Sequence, residues 1–150
     1  MKILVTGANG QLGQDLMRVI VAAGDEAVGI DIDTVDITSR ETVHDALVTI
    51  HPDSVINCAA FTAVDACEDN AETAMLVNGT AVRWVTEASD AVGAHLVHVS
   101  TDYVFDGTKI GPYVETDTPN PQSVYGSTKL AGELEALANG AGVAVVRTSW

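Results

Sequence analysis

Lysine is scarce in this chain. Three lysines and four arginines stand against 21 acidic residues, a formal net charge of −14 over 150 residues. A surface so short of cations repels polyanions, so no nucleic acid and no anionic membrane is expected as a partner. Proline is scarce as well, at four residues, while hydrophobic residues make up 47%. That balance excludes a disordered chain and points to a folded globule. No apolar run approaches the ~20 residues that a membrane span needs. The opening "MKILVTGANG" is too short for a signal-peptide core and runs into a glycine-rich turn, so it reads as a buried strand. A cytoplasmic protein is expected. Only two cysteines occur, Cys58 and Cys67, with no ligand partner at metal-binding spacing. They exclude a disulfide framework and fit reduced, buried thiols. Among the four histidines, His95 and His98 lie three apart on an expected strand and so face opposite sides. His44 and His51 suit a helix surface, and no metal site is expected.

What the chain does have is alternation. "KILVT" (2–6), "EAVGID" (26–31), "SVINCAA" (54–60), "HLVHVS" (95–100) and "VAVVRTS" (143–149) are short apolar runs of strand length. Between them, apolar residues recur at helical spacing. Leu12, Leu16, Val19, Ile20 and Ala23 mark a helix that stops near Gly24. Thr38-x-x-Glu41 reads as a capping box before Val43, Leu47 and Ile50. A long helix is expected over about 70–91, and another after Pro121. Strands separated by helices imply right-handed crossovers and a parallel sheet covered on both faces, an α/β fold in one domain. In such sheets ligands gather beyond the carboxyl ends of the strands.

The first such position holds "TGANGQLG" (6–13), with Gly7, Gly10 and Gly13 spaced G-x-x-G-x-x-G. This is one residue wider than the common dinucleotide fingerprint, and the same physics applies. Glycine permits the tight turn and close backbone approach, and the helix start then faces a pyrophosphate. Asp31 ends the second strand 18 residues after Gly13. A carboxylate there accepts from ribose hydroxyls and repels a 2′-phosphate, which tilts the reading towards NADH over NADPH. A solvated acidic loop, with Asp33 and Asp36 close by, explains the same residues. Asp36 and Ile37 are placed to flank the adenine, and Ala59, Ala60, Phe61 and Thr62 to lie along the cofactor.

"VSTDYVFDG" (99–107) leaves the fourth strand with Ser100, Thr101 and Asp102. A hydroxyl here suits hydrogen bonding to a substrate carbonyl. "VYGSTKLAGE" (124–133) then sets Tyr125 and Lys129 four apart, neighbours on one helix face. Such a pair also arises by chance on ordinary amphipathic helices, so it gains meaning only beside the glycine loop. A phenol is a sluggish acid at neutral pH. A lysine charge ~4 Å away favours phenolate by ~4 kcal/mol, or ~3 pKa units. Tyr125 is thus the expected proton donor, with Lys129 lowering its pKa.

Together, G-x-x-G-x-x-G, a strand-end Ser-Thr and Tyr-x-x-x-Lys resemble the extended short-chain dehydrogenase/reductases. "TGANGQLG", "NCAAFTAVDACE" (57–68), "STDYVFDG" (100–107), "YGSTKLAGE" (125–133) and "RTSW" (147–150) are similar to the dTDP-4-dehydrorhamnose reductases within them. The resemblance covers essentially the whole chain. It implies a Rossmann-like doubly wound sheet and NADH- or NADPH-dependent reduction of a dTDP-4-keto-6-deoxy sugar, the last step of dTDP-L-rhamnose synthesis. It assigns Tyr125, Lys129 and Thr101 to catalysis, and Thr101, Asp102 and Trp150 to the substrate. Cofactor contacts carry over to Gly10, Gln11, Leu12, Asp31, Asp36, Ile37, Ala60, Phe61, Thr62, Tyr125 and Lys129. Some members hold magnesium through a carboxylate matching Asp15 and others further along, and those others are not in this chain. Phe61 stands where tyrosine or histidine is usual. The family runs to nearly twice this length, so the chain corresponds to its cofactor-binding half, 1–150, without most of the sugar-nucleotide pocket. A homodimer is compatible with the reading.

Two alternatives stay open. A 4-epimerase uses the same Tyr and Lys, and a non-catalytic nucleotide-binding regulatory subunit keeps the fold without the reaction. A dehydratase fits less well, because Tyr103 follows Asp102 where an acidic residue would be wanted.

Overall fold

A computed structural model describes residues 1–149, and Trp150 lies outside the described residues. The apolar bursts form five strands: β1 (Lys2–Thr6), β2 (Glu26–Ile30), β3 (Ser54–Asn57), β4 (His95–Thr101) and β5 (Val143–Thr148). All pair in parallel in the order β2-β1-β3-β4-β5. Leu4, Val5, Val55 and Leu96 are buried in the middle of the sheet, which is why these strands read as continuous apolar runs.

The helices are α1 (Gln11–Ala22), α2 (Arg40–Ile50), α3 (Val64–Asp69), α4 (Ala71–Met75), α5 (Ala81–Ala91) and α6 (Val124–Asn139). The step from β1 to β2 runs one way across the sheet, and every later step runs the other way. With right-handed crossovers, α1 covers one face and the remaining helices the opposite one. On that second face α2, α5 and α6 pack side by side over Val43, Leu47, Val82, Val85 and Ala136. The doubly wound α/β architecture is the one expected. Its direction reverses at β1, between β2 and β3, and the crevice beyond that point is where this topology takes ligands.

Several details differ from the sequence reading. β2 ends at Ile30 and β3 at Asn57, so Asp31 and residues 58–60 have already left the sheet. The cap of α2 is Ser39, whose hydroxyl accepts from the Thr42 amide at 3.5 Å. Thr38 lies one residue before the cap, and its hydroxyl donates to Asp36 at 2.7 Å. Helix α3 was not expected; its six residues, "VDACED", are too few to show a period.

The long helix expected over about 70–91 is present but opens into a π turn at Leu76–Thr80. Asn78 sits in that turn, and its side chain clamps the segment leaving β3. Its Oδ1 accepts from the Phe61 amide at 2.8 Å, and its Nδ2 donates to the Phe61 carbonyl at 3.1 Å and to Thr128 Oγ1 at 3.2 Å. On the other side, a Cβ at Gly132 would stand 2.1 Å from the Asn78 carbonyl oxygen. Backbone-to-backbone contact, which only glycine allows there, presses α6 onto the turn. The π turn thereby seats the helix that carries Tyr125 and Lys129, in keeping with the frequent use of such turns near functional sites.

Candidate active site

The glycine loop joins β1 to α1 beside the crevice. Gly7 has φ +66°, and a Cβ there would lie 2.8 Å from the Ala59 amide nitrogen. A Cβ at Gly13 would lie 2.2 Å from the Gly7 carbonyl oxygen, so the first turn of α1 can nest against the loop only without side chains. Gly10 is the N-cap of α1 and supplies no capping side chain, and no acidic residue occupies the first turn. The amides of Gln11, Leu12 and Gly13 are therefore free to meet an anion on the positive end of a 12-residue helix.

Two adjoining cavities open here, of about 420 Å³ and 240 Å³. The larger runs from Gly7, Gln11, Leu12 and Gly13 past Ala60 and Thr62 to Thr101, Asp102, Tyr125 and Lys129. The smaller is lined by Asp31, Asp36, Ile37 and Ala59. Gly7, Cys58 and Ala60 border both, so the two form one curved trough across the strand ends. Of the residues singled out in the sequence, Gly10 and Phe61 line neither cavity, and Trp150 lies outside the described residues. Phe61 contributes through its backbone, held by Asn78. Cys58, Val99, Tyr103 and Thr148 line the larger cavity without having been singled out. Their signal was only position, one or two residues from a strand end.

Asp31 is tied to the glycine loop. Its Oδ2 accepts from the Asn9 amide and its Oδ1 from the Ile32 amide, both at 2.8 Å. The carboxylate keeps further lone pairs for a ribose hydroxyl. Loop and acid are thus held in one rigid arrangement at the mouth of the smaller cavity. The free helix amides, the glycine cradle and this carboxylate fit a nicotinamide dinucleotide: pyrophosphate at α1, adenosine beside Asp31, and nicotinamide towards Tyr125.

At the reacting end, the Ser100 hydroxyl donates to Glu133 at 2.5 Å and is committed there. Of the Ser100–Thr101 pair, Thr101 is the hydroxyl left at the cavity. It accepts from the Tyr103 amide and donates to Asp102, both at 3.2 Å. Tyr125 packs edge-on against Tyr103, with ring centres 5.6 Å apart.

The electrostatics correct one expectation. Burial pushes the Tyr125 phenol above its ordinary value of 10.0, and the nearby Thr101 hydroxyl offsets this only in part. Lys129 does not pull it down, because its ammonium is directed to the Val99 carbonyl at 2.7 Å. Lys129 is itself 2% exposed, and burial lowers its pKa to about 8, with Glu133 acting in the opposite sense. Burial also raises Cys58 to about 11, against the Lys129 charge, so its thiol stays protonated at neutral pH.

Beneath the trough, register sets Thr6, Asn57 and His98 side by side on β1, β3 and β4. The Thr6 hydroxyl donates to Asn57 Oδ1 at 2.6 Å, so Asn57 Nδ2 faces His98 Nδ1 at 3.1 Å as donor. His98 is wholly buried, and burial, with the Lys129 charge, lowers its pKa to about 3. As expected, His95 is on the other side and exposed.

A family model described as the RmlD substrate binding domain matches residues 1–150. The chain belongs to this family. A dTDP-4-dehydrorhamnose reductase of Burkholderia thailandensis is 47% identical over 150 residues, covering 100% of this chain and 50% of that protein. The crystal structure of a dTDP-4-dehydrorhamnose reductase from Clostridium acetobutylicum superposes with a TM-score of 0.97 at 43% identity, over 100% of this chain and 54% of that one. That of the Bacillus anthracis reductase, in complex with NADP, gives 0.96 at 38% identity, over 99% and 53%. This RmlD-family chain spans about half the length of the relatives it matches. The half it spans contains the glycine loop, Thr101, Tyr125 and Lys129.

Proposed function

We propose that the chain is the cofactor-binding half of a dTDP-4-dehydrorhamnose reductase and carries the groups that reduce the 4-keto sugar. The observation that supports this most is the single trough with free helix amides at one end and Thr101, Tyr125 and Lys129 at the other. NADH or NADPH, when bound, supplies the hydride that goes to C4. The chain's own residues handle the oxygen. Thr101 releases Asp102 and donates to the carbonyl, and the phenol of Tyr125 gives up its proton to the oxygen as negative charge develops there. A phenol raised above 10.0 is fully protonated at neutral pH, the loaded form for reduction. Lys129 has three N–H donors, one of them committed to Val99, which leaves two for the nicotinamide ribose hydroxyls.

Asp102 and Trp150 are assigned to the substrate, which is completed by the half that this chain does not span. A homodimer in the cytoplasm is the assembly we infer, with the exposed Leu134 and Leu137 of α6 as the apolar surface available to a second copy. Among the described residues no helix is long and apolar enough to cross a membrane.

The test is oxidation of NADH and of NADPH by the full-length protein with dTDP-4-dehydrorhamnose, beside Tyr125→Phe and Thr101→Val. Turnover that collapses at least ~100-fold in Tyr125→Phe supports the reading. Cofactor binding without turnover overturns it in favour of the regulatory alternative.

A further inference from the structure

Tyr125, Lys129 and Glu133 follow one another at four-residue spacing and form a single stripe down α6. Lys129 and Glu133 are each 2% exposed, an unusual depth for either residue type. The partners of Glu133 are those of an ionised carboxylate. Arg147 on β5 meets it through Nη2 at 2.6 Å and Nε at 2.9 Å, and Ser100 donates to it at 2.5 Å. Arg147 is in turn fixed by Phe105, whose ring centre lies 4.9 Å from the guanidinium carbon. The assembly is rigid and lies on the side of Lys129 away from Tyr125.

We propose that Glu133 is a positioning residue for the reaction, a buried anion that keeps Lys129 charged inside the sheet–helix interface. A buried ammonium loses its proton unless an anion compensates for the lost water. Among the described residues, few titratable or charged groups face Lys129 from the surrounding elements. Asp102, after β4, lines the same cavity but is exposed, so water screens its charge. Cys58, after β3, holds its proton to about 11 and lends no charge at neutral pH. His98 on β4 is neutral there, being lowered to about 3. Arg147 on β5 is a cation and is paired with Glu133. Tyr125, on the same helix, holds its proton. Glu133 is the buried anion that remains, and it is the strongest electrostatic support of the lysine's charged form. Ser100 has a matching task. By donating to Glu133 it fixes the carboxylate and leaves the cavity to Thr101.

The proposal rests on Lys129 acting in the assigned reduction, but its test needs neither substrate nor cofactor. The chain has three lysines, Lys2, Lys109 and Lys129, so carbon-13 labelling of lysine Cε gives three resonances, with Lys129→Arg identifying the third. The Lys129 resonance is expected to titrate at about 8. In Glu133→Gln, which keeps the shape and can still bond Ser100 and Arg147, the midpoint falls by about one unit. Glu133→Asp restores most of that loss. An unchanged midpoint in a folded Glu133→Gln chain overturns the proposal. If that variant does not fold, Arg147→Gln decides, because it leaves Lys129 as the remaining cation beside Glu133. The midpoint then rises, and one that stays or falls overturns the proposal. Failure of the reductase assay leaves this titration standing, so the two readings fail separately.

Discussion

The ammonium of Lys129 donates to the carbonyl of Val99 at 2.7 Å, although the phenol of Tyr125 lies one helical turn away on the same face. Helical spacing brings the two side chains to one stripe, and the end of β4 then decides where the charge is aimed. The lysine is anchored to the strand that carries Thr101, so acid, cation and hydroxyl are held relative to one another by sheet and helix together. In the proposed reduction, proton transfer from Tyr125 would then depend on charge that appears during the reaction more than on a phenol acidified beforehand.

Tyr125 is accordingly expected to titrate above 10.0 in the unliganded chain. The sign follows from burial, which favours the neutral phenol. The folded state therefore holds this proton more tightly than the unfolded state. The resulting stability is fully present below pH 10 and is lost as the pH rises through the folded-state value. Labelling tyrosine Cζ with carbon-13 resolves Tyr103, Tyr113 and Tyr125, with Tyr125→Phe as the assignment control. A midpoint several units below 10 would show that Lys129 couples directly to the phenol, contrary to the geometry here.

Residues whose chemistry is local were legible in the sequence. The glycine loop needs a strand, a turn and a helix start, all contiguous, and Tyr125 with Lys129 needs only one turn of helix. Both motifs open onto the same trough. What escaped depends on elements distant in sequence. Nothing near Asn78 indicates that its amide grips Phe61, 17 residues earlier, and Thr128, 50 residues later, or that the helix opens into a π turn to do so. Nothing beside Glu133 marks it either, because its partners Ser100 and Arg147 lie 33 and 14 residues away. Thr38 met the pattern of a capping residue, yet α2 starts at Arg40 with Ser39 as its cap, and Thr38 is folded back onto Asp36. A one-residue shift of this kind is invisible to spacing rules.

Asp31 is expected to carry the choice of cofactor. With its two oxygens held by the Asn9 and Ile32 amides, the carboxylate cannot swing aside for a 2′-phosphate. Asp36 lines the same cavity, and among the described residues no lysine or arginine does. The chain is therefore expected to bind NADH at least ~10-fold more tightly than NADPH, a difference of ~1.4 kcal/mol. Asp31→Asn, which keeps an acceptor and loses the charge, narrows the gap. Fluorescence titration with both cofactors measures this at low salt, where the repulsion is least screened. Equal affinities for the two in the parent chain would remove Asp31 from this role.

His98 makes the fold sensitive to acid. Its ring is wholly buried between Asn57 and the helix layer, and burial lowers its pKa from 6.5 to about 3. In the unfolded chain the imidazole takes up a proton near 6.5, whereas the folded chain refuses it down to about 3. The unfolded state thus binds more protons across that window. The contribution of His98 is fully present above 6.5 and is lost as the pH falls towards 3. One proton of difference gives a slope of about 1.4 kcal/mol per pH unit. His98→Gln cannot charge, so it lacks this part of the slope whatever it costs at neutral pH. Urea denaturation at pH 6.5 and 4.5 is expected to show a stability loss on acidification smaller in the variant by about 2–3 kcal/mol. Identical slopes in the two proteins would mean that the buried imidazole accepts its proton in the folded state. The Thr6–Asn57–His98 row under the trough would then have to rearrange around a charge.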